Sequence, residues 1–351
     1  MLRWDGEGIA FNDMEGERAV TRRVGAGGEI LATTPAQYAV HARSGAAATV
    51  DFGRLTRLRP EYGYAGLRDA HENDPHPETS GVFAVDGSAT RLIVSIDALD
   101  RITADGSARA GGALHQHVNH IMFNPSGARF CFMHRFVRTD GILHSRLFTS
   151  DLGGADVRLL FEGMVSHYDW RDDRTILAWA GRRSLLGGAG ARKSPAQRAM
   201  TLTRRGLKPI YYAMGKPRFL MNKIMKDGYL LIDDVDRRSS GAPEARAFAR
   251  GELTRDGHCT FNRGGRDTGR WVLTDGYPDR RGRQPLFLWD CRGSVGHEIG
   301  RYRTRRELDG DVRVDLHPRF NRDATLVCID SAMEGVRGMY VVDVSSLTGS
   351  A

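Results

Sequence analysis

The sequence predicts an all-β fold, and the arrangement that it favours is a seven-bladed β-propeller. A phrase that begins with a histidine occurs four times, and each copy has an aromatic residue three positions later, followed by a polar turn and an apolar run. The four copies begin at His120, His167, His258 and His317. Short strands joined by turns and repeated about every 45 to 90 residues are typical of radially arranged sheets.

Strand-turn-strand units can be laid end to end along the whole chain. The clearest, over residues 117–163, has four short apolar runs separated by turns, as one propeller blade does. We expect residues 1–351 to form a single domain, with a ring closed by N-terminal strands that pair with C-terminal strands. Six or eight blades would also accommodate the strands. The Gly-, Arg- and Ser-rich segment 182–205 is predicted to be a flexible excursion.

The composition indicates the expected cellular compartment and the expected class of binding partner. No stretch of sequence approaches the roughly 18 apolar residues of a membrane span, and the N-terminus lacks the apolar core of a signal peptide, so we expect a cytoplasmic protein. The net charge of +8 favours a polyanionic partner, although it also fits an Arg-rich, GC-rich genome. No zinc-finger, helix-turn-helix or RNA-binding motif accompanies the charge, so an acidic polysaccharide is as good a candidate as nucleic acid.

The histidines suggest a site as well as a fold. If the four strands are equivalent, their histidines converge on one central channel. The alternative is that these histidines only hold turns in place. Histidine titrates near neutral pH, which suits a general base, and His167 and His120 are the candidates for that role.

A basic loop forms a second candidate region. The segment 54–64 carries Arg57, Arg59 and Tyr64, which could bind a sugar acid through charge and ring stacking. A solvated basic loop is the equal alternative. His117 lies at the start of the clearest blade, two residues after another histidine, and is a further candidate contact.

Several phrases resemble the oligogalacturonate lyase family. They are residues 120–130 (HIMFNPSGARF), 257–261 (GHCTF), 315–320 (DLHPRF) and 330–344 (DSAMEGVRGMYVVDV). The resemblance extends over roughly residues 115 to 347. It implies a seven-bladed propeller that cleaves acidic sugar chains by β-elimination with a divalent metal, typically manganese, held by histidines and a glutamine.

The resemblance also implies a metal site. By position, His258 and His317 match ligand histidines of the family. Where the family has a second histidine two residues before the last, this chain has Asp315, and in place of the glutamine it offers only Val312 and Arg313. The implied set is therefore His258, Asp315 and His317, which suits Mn²⁺ or Fe²⁺, with zinc and calcium as alternatives. An arginine replacing the charge of the cation is the other possibility.

The sequence thus predicts a metal-assisted lyase that cleaves uronate-containing oligosaccharides by β-elimination. That reaction needs a cation at the C6 carboxylate, a base for the C5 proton and an acid for the leaving oxygen. The alternatives are a non-catalytic propeller that binds a glycan or a protein of a polysaccharide assembly system, and a metal-dependent hydrolase or epimerase. The predicted substrate contacts are Arg313, Arg319, Tyr277, Arg280, Arg57, Arg59, Tyr64 and His117.

Overall fold

A computed structural model describes residues 2–103, 113–138, 143–181, 227–235, 245–265, 267–279, 281–305, 307–308 and 312–349. These residues belong to two compact units. The first comprises the described parts of 1–162 and 234–242, and the second those of 163–233 and 243–351. The predicted excursion 182–205 and the predicted substrate contact Arg280 lie outside the described residues.

The first unit is built from consecutive antiparallel strands. One sheet contains β1 (Leu2–Asp5), β2 (Gly8–Glu15), β3 (Arg18–Val24) and β4 (Ile30–Pro35). The next contains β5 (Ala39–Val40), β6 (Ala47–Val50), β7 (Gly81–Asp86) and β8 (Ala89–Ser95). Then follow β9 (Ala113–Phe123), β10 (Phe130–Arg138) and β11 (Leu143–Ser150).

Two short helices interrupt the strands of the first unit. Helix α1 (Phe52–Leu58) begins at Asp51, whose carboxylate accepts a hydrogen bond from the amide of Arg54, and helix α2 (Ile96–Arg101) begins at Ser95 in the same way. A single 3-10 turn spans Pro60–Tyr62. Apolar side chains from both helices and from the strands form one core, which includes Leu55, Leu99, Phe130, Phe132 and Phe148.

Two buried arginines bind the helices of this unit to its strands. Arg146, fully buried on β11, donates to the carbonyl oxygens of Leu99 and Ile102 at the end of α2, at 2.9 and 2.6 Å. Arg54 on α1 donates at 2.6 Å to the carbonyl oxygen of Gln116 on β9. The Leu99 carbonyl also accepts from the backbone amide of Ile102 at 3.1 Å, so Arg146 adds a second donor there and supplies a donor to the carbonyl of Ile102 just past the helix end.

Strand β12 (Arg158–Trp170) carries the chain from the first unit into the second. In the second unit its end pairs with β13 (Thr175–Gly181), followed by β14 (Gly228–Asp233) and β15 (Arg246–Ala247). A four-stranded sheet contains β16 (Cys259–Phe261), β17 (Trp271–Asp275), β18 (Arg283–Asp290) and β19 (Val295–Arg303). A three-stranded sheet contains β20 (Arg319–Phe320), β21 (Leu326–Ser331) and β22 (Gly338–Asp343), and α3 (Ser345–Thr348) follows.

The second unit packs its sheets through two apolar clusters. One joins Trp179, Tyr229, Phe261 and Trp289, and the other joins Leu273, Leu288, Leu316, Val327 and Ile329. The clusters hold β16 and the segment before β20 against their neighbours. Strand β16 directly follows His258, and Leu316 in the segment before β20 directly precedes His317.

The all-β prediction is confirmed, because antiparallel strands make up most of the regular structure that is described. In the described residues, N-terminal strands pair with one another and so do C-terminal strands, so the ring-closing sheet expected from the sequence is not found there. The count of seven blades stays a prediction. No helix among the described residues is long and apolar enough to cross a membrane.

Candidate active site

Three of the four phrase histidines come together in the second unit. The ring centroids of His167 and His258 are 4.2 Å apart, and those of His258 and His317 are 3.9 Å apart. Each ring belongs to a different sheet segment, on β12, directly before β16 and shortly before β20. We call this group the histidine cluster.

Local backbone irregularities direct these rings. On β12 the register with β13 shifts between Val165 and Tyr168, so His167 lies in a bulge. Bulges of this kind change the direction in which a side chain points. His317 has a φ of 42°, a left-handed conformation that is unusual for a residue with a side chain. Such conformations persist where surrounding contacts hold them, and they are common at functional sites.

Asp275, the last residue of β17, holds two of the three histidines. Its carboxylate accepts from the backbone amide of His258 at 2.6 Å and from His258 Nδ1 at 3.0 Å. It also accepts from the backbone amide of His317 at 3.2 Å. Because a carboxylate can only accept, Nδ1 of His258 carries a hydrogen, and Nε2 is the ring nitrogen left for chemistry.

His167 has its own carboxylate. Asp256 Oδ1 lies 2.8 Å from His167 Nδ1, and the hydroxyl of Ser166 donates to the same carboxylate at 2.7 Å. This pairing puts the hydrogen of His167 on Nδ1 and leaves Nε2 able to accept a proton. An imidazole oriented by a carboxylate is the arrangement that general bases use in many enzymes.

The pKa values of His258 and His317 are shifted in opposite directions. Burial alone lowers the pKa of His258, but the negative charge of Asp275 and its hydrogen bond outweigh burial and raise that pKa above its usual value. Burial would raise the pKa of Asp275, yet the charge of His258 holds it below its usual value. Burial, and then the charge of His258, lower the pKa of His317. Neighbouring groups with pKa values shifted in opposite directions are typical of acid–base sites.

The predicted metal set does not form. Both carboxylate oxygens of Asp315 accept from Arg313, at 2.6 and 2.7 Å, so they are already engaged. Among the described residues, no group of three or more His, Cys, Asp or Glu is arranged to hold a metal ion. The histidine Nε2 atoms are of a donor type that manganese accepts, but the described side chains do not fit the ion that the resemblance implies.

Of the predicted substrate contacts described in this unit, Tyr277 lies next to a ring of the histidine cluster, and Arg313 and Arg319 each contact an aspartate. The guanidinium of Arg313 stacks over the ring of Tyr277 at 4.5 Å, and this ring lies 6.1 Å from that of His167. Arg319 donates to Asp330 at 3.2 Å. Tyr277 therefore borders the histidine cluster, while Arg313 is held by Asp315 and stacking.

The histidine cluster is partly open to solvent. The side chain of His317 is 45 % exposed, whereas those of His258 and His167 are largely covered. A cavity of about 30 Å³ beside Asp275 has room for about one water molecule. The open face of the cluster, at His317, is therefore its accessible side.

The predicted residues of the first unit serve mostly as local contacts. The amide of His120 donates to the Tyr38 hydroxyl at 2.9 Å, and its ring packs edge-on against Tyr62. His117 is buried. Its Nδ1 lies 3.2 Å from the His115 carbonyl, and burial lowers its pKa to about 3.

The arginines of the basic loop pair with nearby carboxylates. Arg57 contacts Asp69 at 2.7 Å, and Arg59 contacts Glu61 at 2.5 Å. Tyr64 packs against Phe52 in the core. These contacts favour a structural role for the loop over a ligand-binding one.

Sequence reasoning missed the two carboxylates that orient the cluster, Asp256 and Asp275. Asp275 could have been found from the hairpin register, because Cys259 pairs with Thr274 and so places Asp275 opposite His258. Asp256 precedes His258 by two residues, but its contact with His167 bridges 89 positions and no local pattern signals it.

No protein-family model matches the chain, and no curated protein does. Solved structures do. An oligogalacturonate lyase in complex with manganese is 13 % identical with a TM-score of 0.55, covering 97 % of this chain and 74 % of its own. The β-propeller domain of the Trilobed protease from Pyrococcus furiosus is 11 % identical with a TM-score of 0.47, covering 98 % and 81 %. An oligogalacturonate lyase from Vibrio parahaemolyticus is 12 % identical with a TM-score of 0.42, covering 97 % and 87 %. At these identities the likeness is one of fold alone.

Proposed function

We propose that the histidine cluster is the active site of a carbon–oxygen lyase that cleaves acidic oligosaccharides by β-elimination. The observation that carries this proposal is the contact of three imidazoles from three sheet segments, two of them oriented by carboxylates on Nδ1. The sequence resemblance to oligogalacturonate lyases and the net charge of +8 support the substrate class.

The residues divide the reaction between them. His167, with Nδ1 held by Asp256, takes the C5 proton of a uronate on Nε2. The C4–O bond breaks as the C4=C5 double bond forms, and His258 donates a proton to the leaving oxygen. His167 ends protonated and His258 deprotonated, and the contact between the two rings gives the proton a short return path.

The arrangement accounts for acid and base but assigns no step to a metal. The C6 carboxylate would be neutralised by cationic side chains at the open face of the cluster. Arg313 is less suited to that role, since Asp315 already takes two of its hydrogen bonds.

The test is a cleavage assay on oligogalacturonate and other uronate oligosaccharides, with and without chelator and with added Mn²⁺. β-Elimination leaves an unsaturated uronate that absorbs in the ultraviolet, and hydrolysis does not. We expect His167→Gln to lower turnover about 10²- to 10⁴-fold, the usual contribution of a general base. His297→Gln, a half-buried histidine of β19, is the matched control and should retain activity. Full activity of His167→Gln would overturn the proposal, and new reducing ends without ultraviolet absorption would indicate a hydrolase.

A further inference from the structure

A group of arginines surrounds Asp330 next to the histidine cluster. The amide of Asp330 donates to the carbonyl of Leu316 at 2.8 Å, which places its carboxylate 4.0 Å from His317 Nδ1. Arg319 and Arg337 each donate a single hydrogen bond to this carboxylate, at 3.2 and 3.4 Å. We call these residues the Asp330 group.

The two arginines are tethered loosely. Arg313, by comparison, makes two short bonds to Asp315 and stacks on an aromatic ring. The side chains of Arg319 and Arg337 are 46 % and 66 % exposed, and each guanidinium carries five N–H donors, most of which Asp330 does not use. Two cations share one carboxylate, so the group keeps a net positive charge beside His317.

A third arginine reaches the same hairpin. Arg305 passes so close to the β21–β22 turn that a Cβ on Gly335 would lie 2.5 Å from its Nη2. Gly335 has a φ of +94°, a left-handed conformation that favours glycine. Among the described residues Arg305 has no carboxylate within ion-pair distance.

From this arrangement we infer that Arg319 and Arg337, with Arg305 behind them, form a subsite for a second carboxylate of a polyuronate chain, one sugar away from the reacting residue. The inference rests on the proposed function. The planar fork of arginine matches a carboxylate through two parallel hydrogen bonds, and both forks have donors free for it. The enzyme would then favour chains with charge on neighbouring sugars over chains with a single uronate.

Binding without turnover tests the subsite. The full chain carrying His167→Gln is titrated calorimetrically with oligogalacturonate, and with the same oligosaccharide after reduction of its carboxylates to alcohols. We expect Arg319→Gln and Arg337→Gln each to weaken oligogalacturonate binding about tenfold, the usual loss for a hydrogen bond between charged groups. Arg301→Gln, which removes an exposed arginine of the same unit paired with Glu298, should bind as the parent does. The reduced oligosaccharide should not distinguish the variants.

Three results would overturn the inference. The first is unchanged oligogalacturonate binding by Arg319→Gln and Arg337→Gln, and the second is no oligogalacturonate binding by the His167→Gln parent. The third is that both arginine variants lose binding to single-stranded DNA as much as binding to oligogalacturonate, which would indicate a general polyanion surface. If Arg319→Gln does not fold, Arg319→Lys keeps the charge without the fork and should still weaken binding. If His167→Gln is active and its binding still depends on the arginines, the proposed chemistry is wrong and the subsite stands. If His167→Gln is inactive and its binding does not depend on the arginines, the chemistry stands and the subsite is wrong.

Discussion

The carboxylate of Asp275 lies 3.0 Å from Nδ1 of His258 and also accepts a hydrogen bond from the backbone amide of His317. One buried side chain therefore sets the ring orientation of one histidine and the backbone position of the next. Asp275 is 3 % exposed, so these hydrogen bonds are not exchanged for bonds to bulk water. The geometry of the histidine cluster depends on this residue more than on any contact between the rings.

Replacement of Asp275 by asparagine should therefore damage both stability and the site. An amide has one acceptor oxygen and presents a donor to a group that already donates, so at least one buried N–H loses its partner. We expect Asp275→Asn to lower the free energy of unfolding by about 1–3 kcal/mol, measured by urea denaturation, and to reduce turnover. Asp86→Asn, at an exposed hairpin position, should change the free energy of unfolding by no more than about 0.5 kcal/mol. Equal stability of the two variants would contradict the prediction.

Two buried histidines of the first unit should make the protein sensitive to acid. Burial lowers the pKa of His117 from 6.5 to about 3 and that of His134 well below 6.5. Below pH 6.5 the unfolded chain binds protons at these positions and the folded chain does not. Their contribution is thus complete above pH 6.5 and is lost as the pH falls toward 3, by about 1.4 kcal/mol per pH unit for each histidine.

The measurement is the free energy of unfolding between pH 7.5 and pH 4.5. His117→Gln and His134→Gln should each flatten the profile in that window, and the double variant should flatten it further. A wild-type profile with no decline below pH 6.5 would show that these histidines are not buried in their neutral form.

Arg146 should be one of the most important residues for the stability of the first unit. Arg146→Met would remove the buried donor from the carbonyl of Ile102 and from Nδ1 of His134, whereas the carbonyl of Leu99 would keep its bond from the amide of Ile102. We expect a loss of about 2 kcal/mol or more in the free energy of unfolding, since each unpaired group costs about 1–3 kcal/mol. The matched control is Arg101→Met on the neighbouring helix. Its exposed pair with Asp97 should be worth less than about 1 kcal/mol. Similar losses for both arginines would be inconsistent with the buried role of Arg146.

Gly257, between Asp256 and His258, should tolerate no side chain. A Cβ at this position would lie 1.9 Å from the carbonyl oxygen of Asp275. Gly257→Ala must therefore push β16 away from β17, and we expect a loss of about 1–3 kcal/mol in stability together with reduced activity. At Gly228 an added Cβ meets nothing within 4 Å, so Gly228→Ala should be neutral or slightly stabilising. Both variants are compared by thermal unfolding and by the cleavage assay. A fully active Gly257→Ala would refute the prediction.

Much of the local structure could be predicted from the sequence. Strand β10 and strand β21 follow the predicted apolar runs, because a short alternating run between turn residues has few other ways to bury its apolar side. The repeated phrase also identified three histidines that do meet. The sequence does not show why the predicted metal ligand Asp315 is engaged elsewhere. Its carboxylate can bind either a metal or Arg313, and Arg313, two positions away in the chain, is the partner it contacts.

By itself, the sequence determined the strand pattern, the turns and the choice of histidine as the chemical group, because these follow from local periodicity and residue type. Only the tertiary structure decided which carboxylate each histidine meets. Asp256 and His167 are 89 positions apart, and Asp330 reaches His317 across a separate hairpin. The proton position on each ring, and so its capacity to act as acid or base, depends on those long-range contacts and not on the residues beside it in the chain.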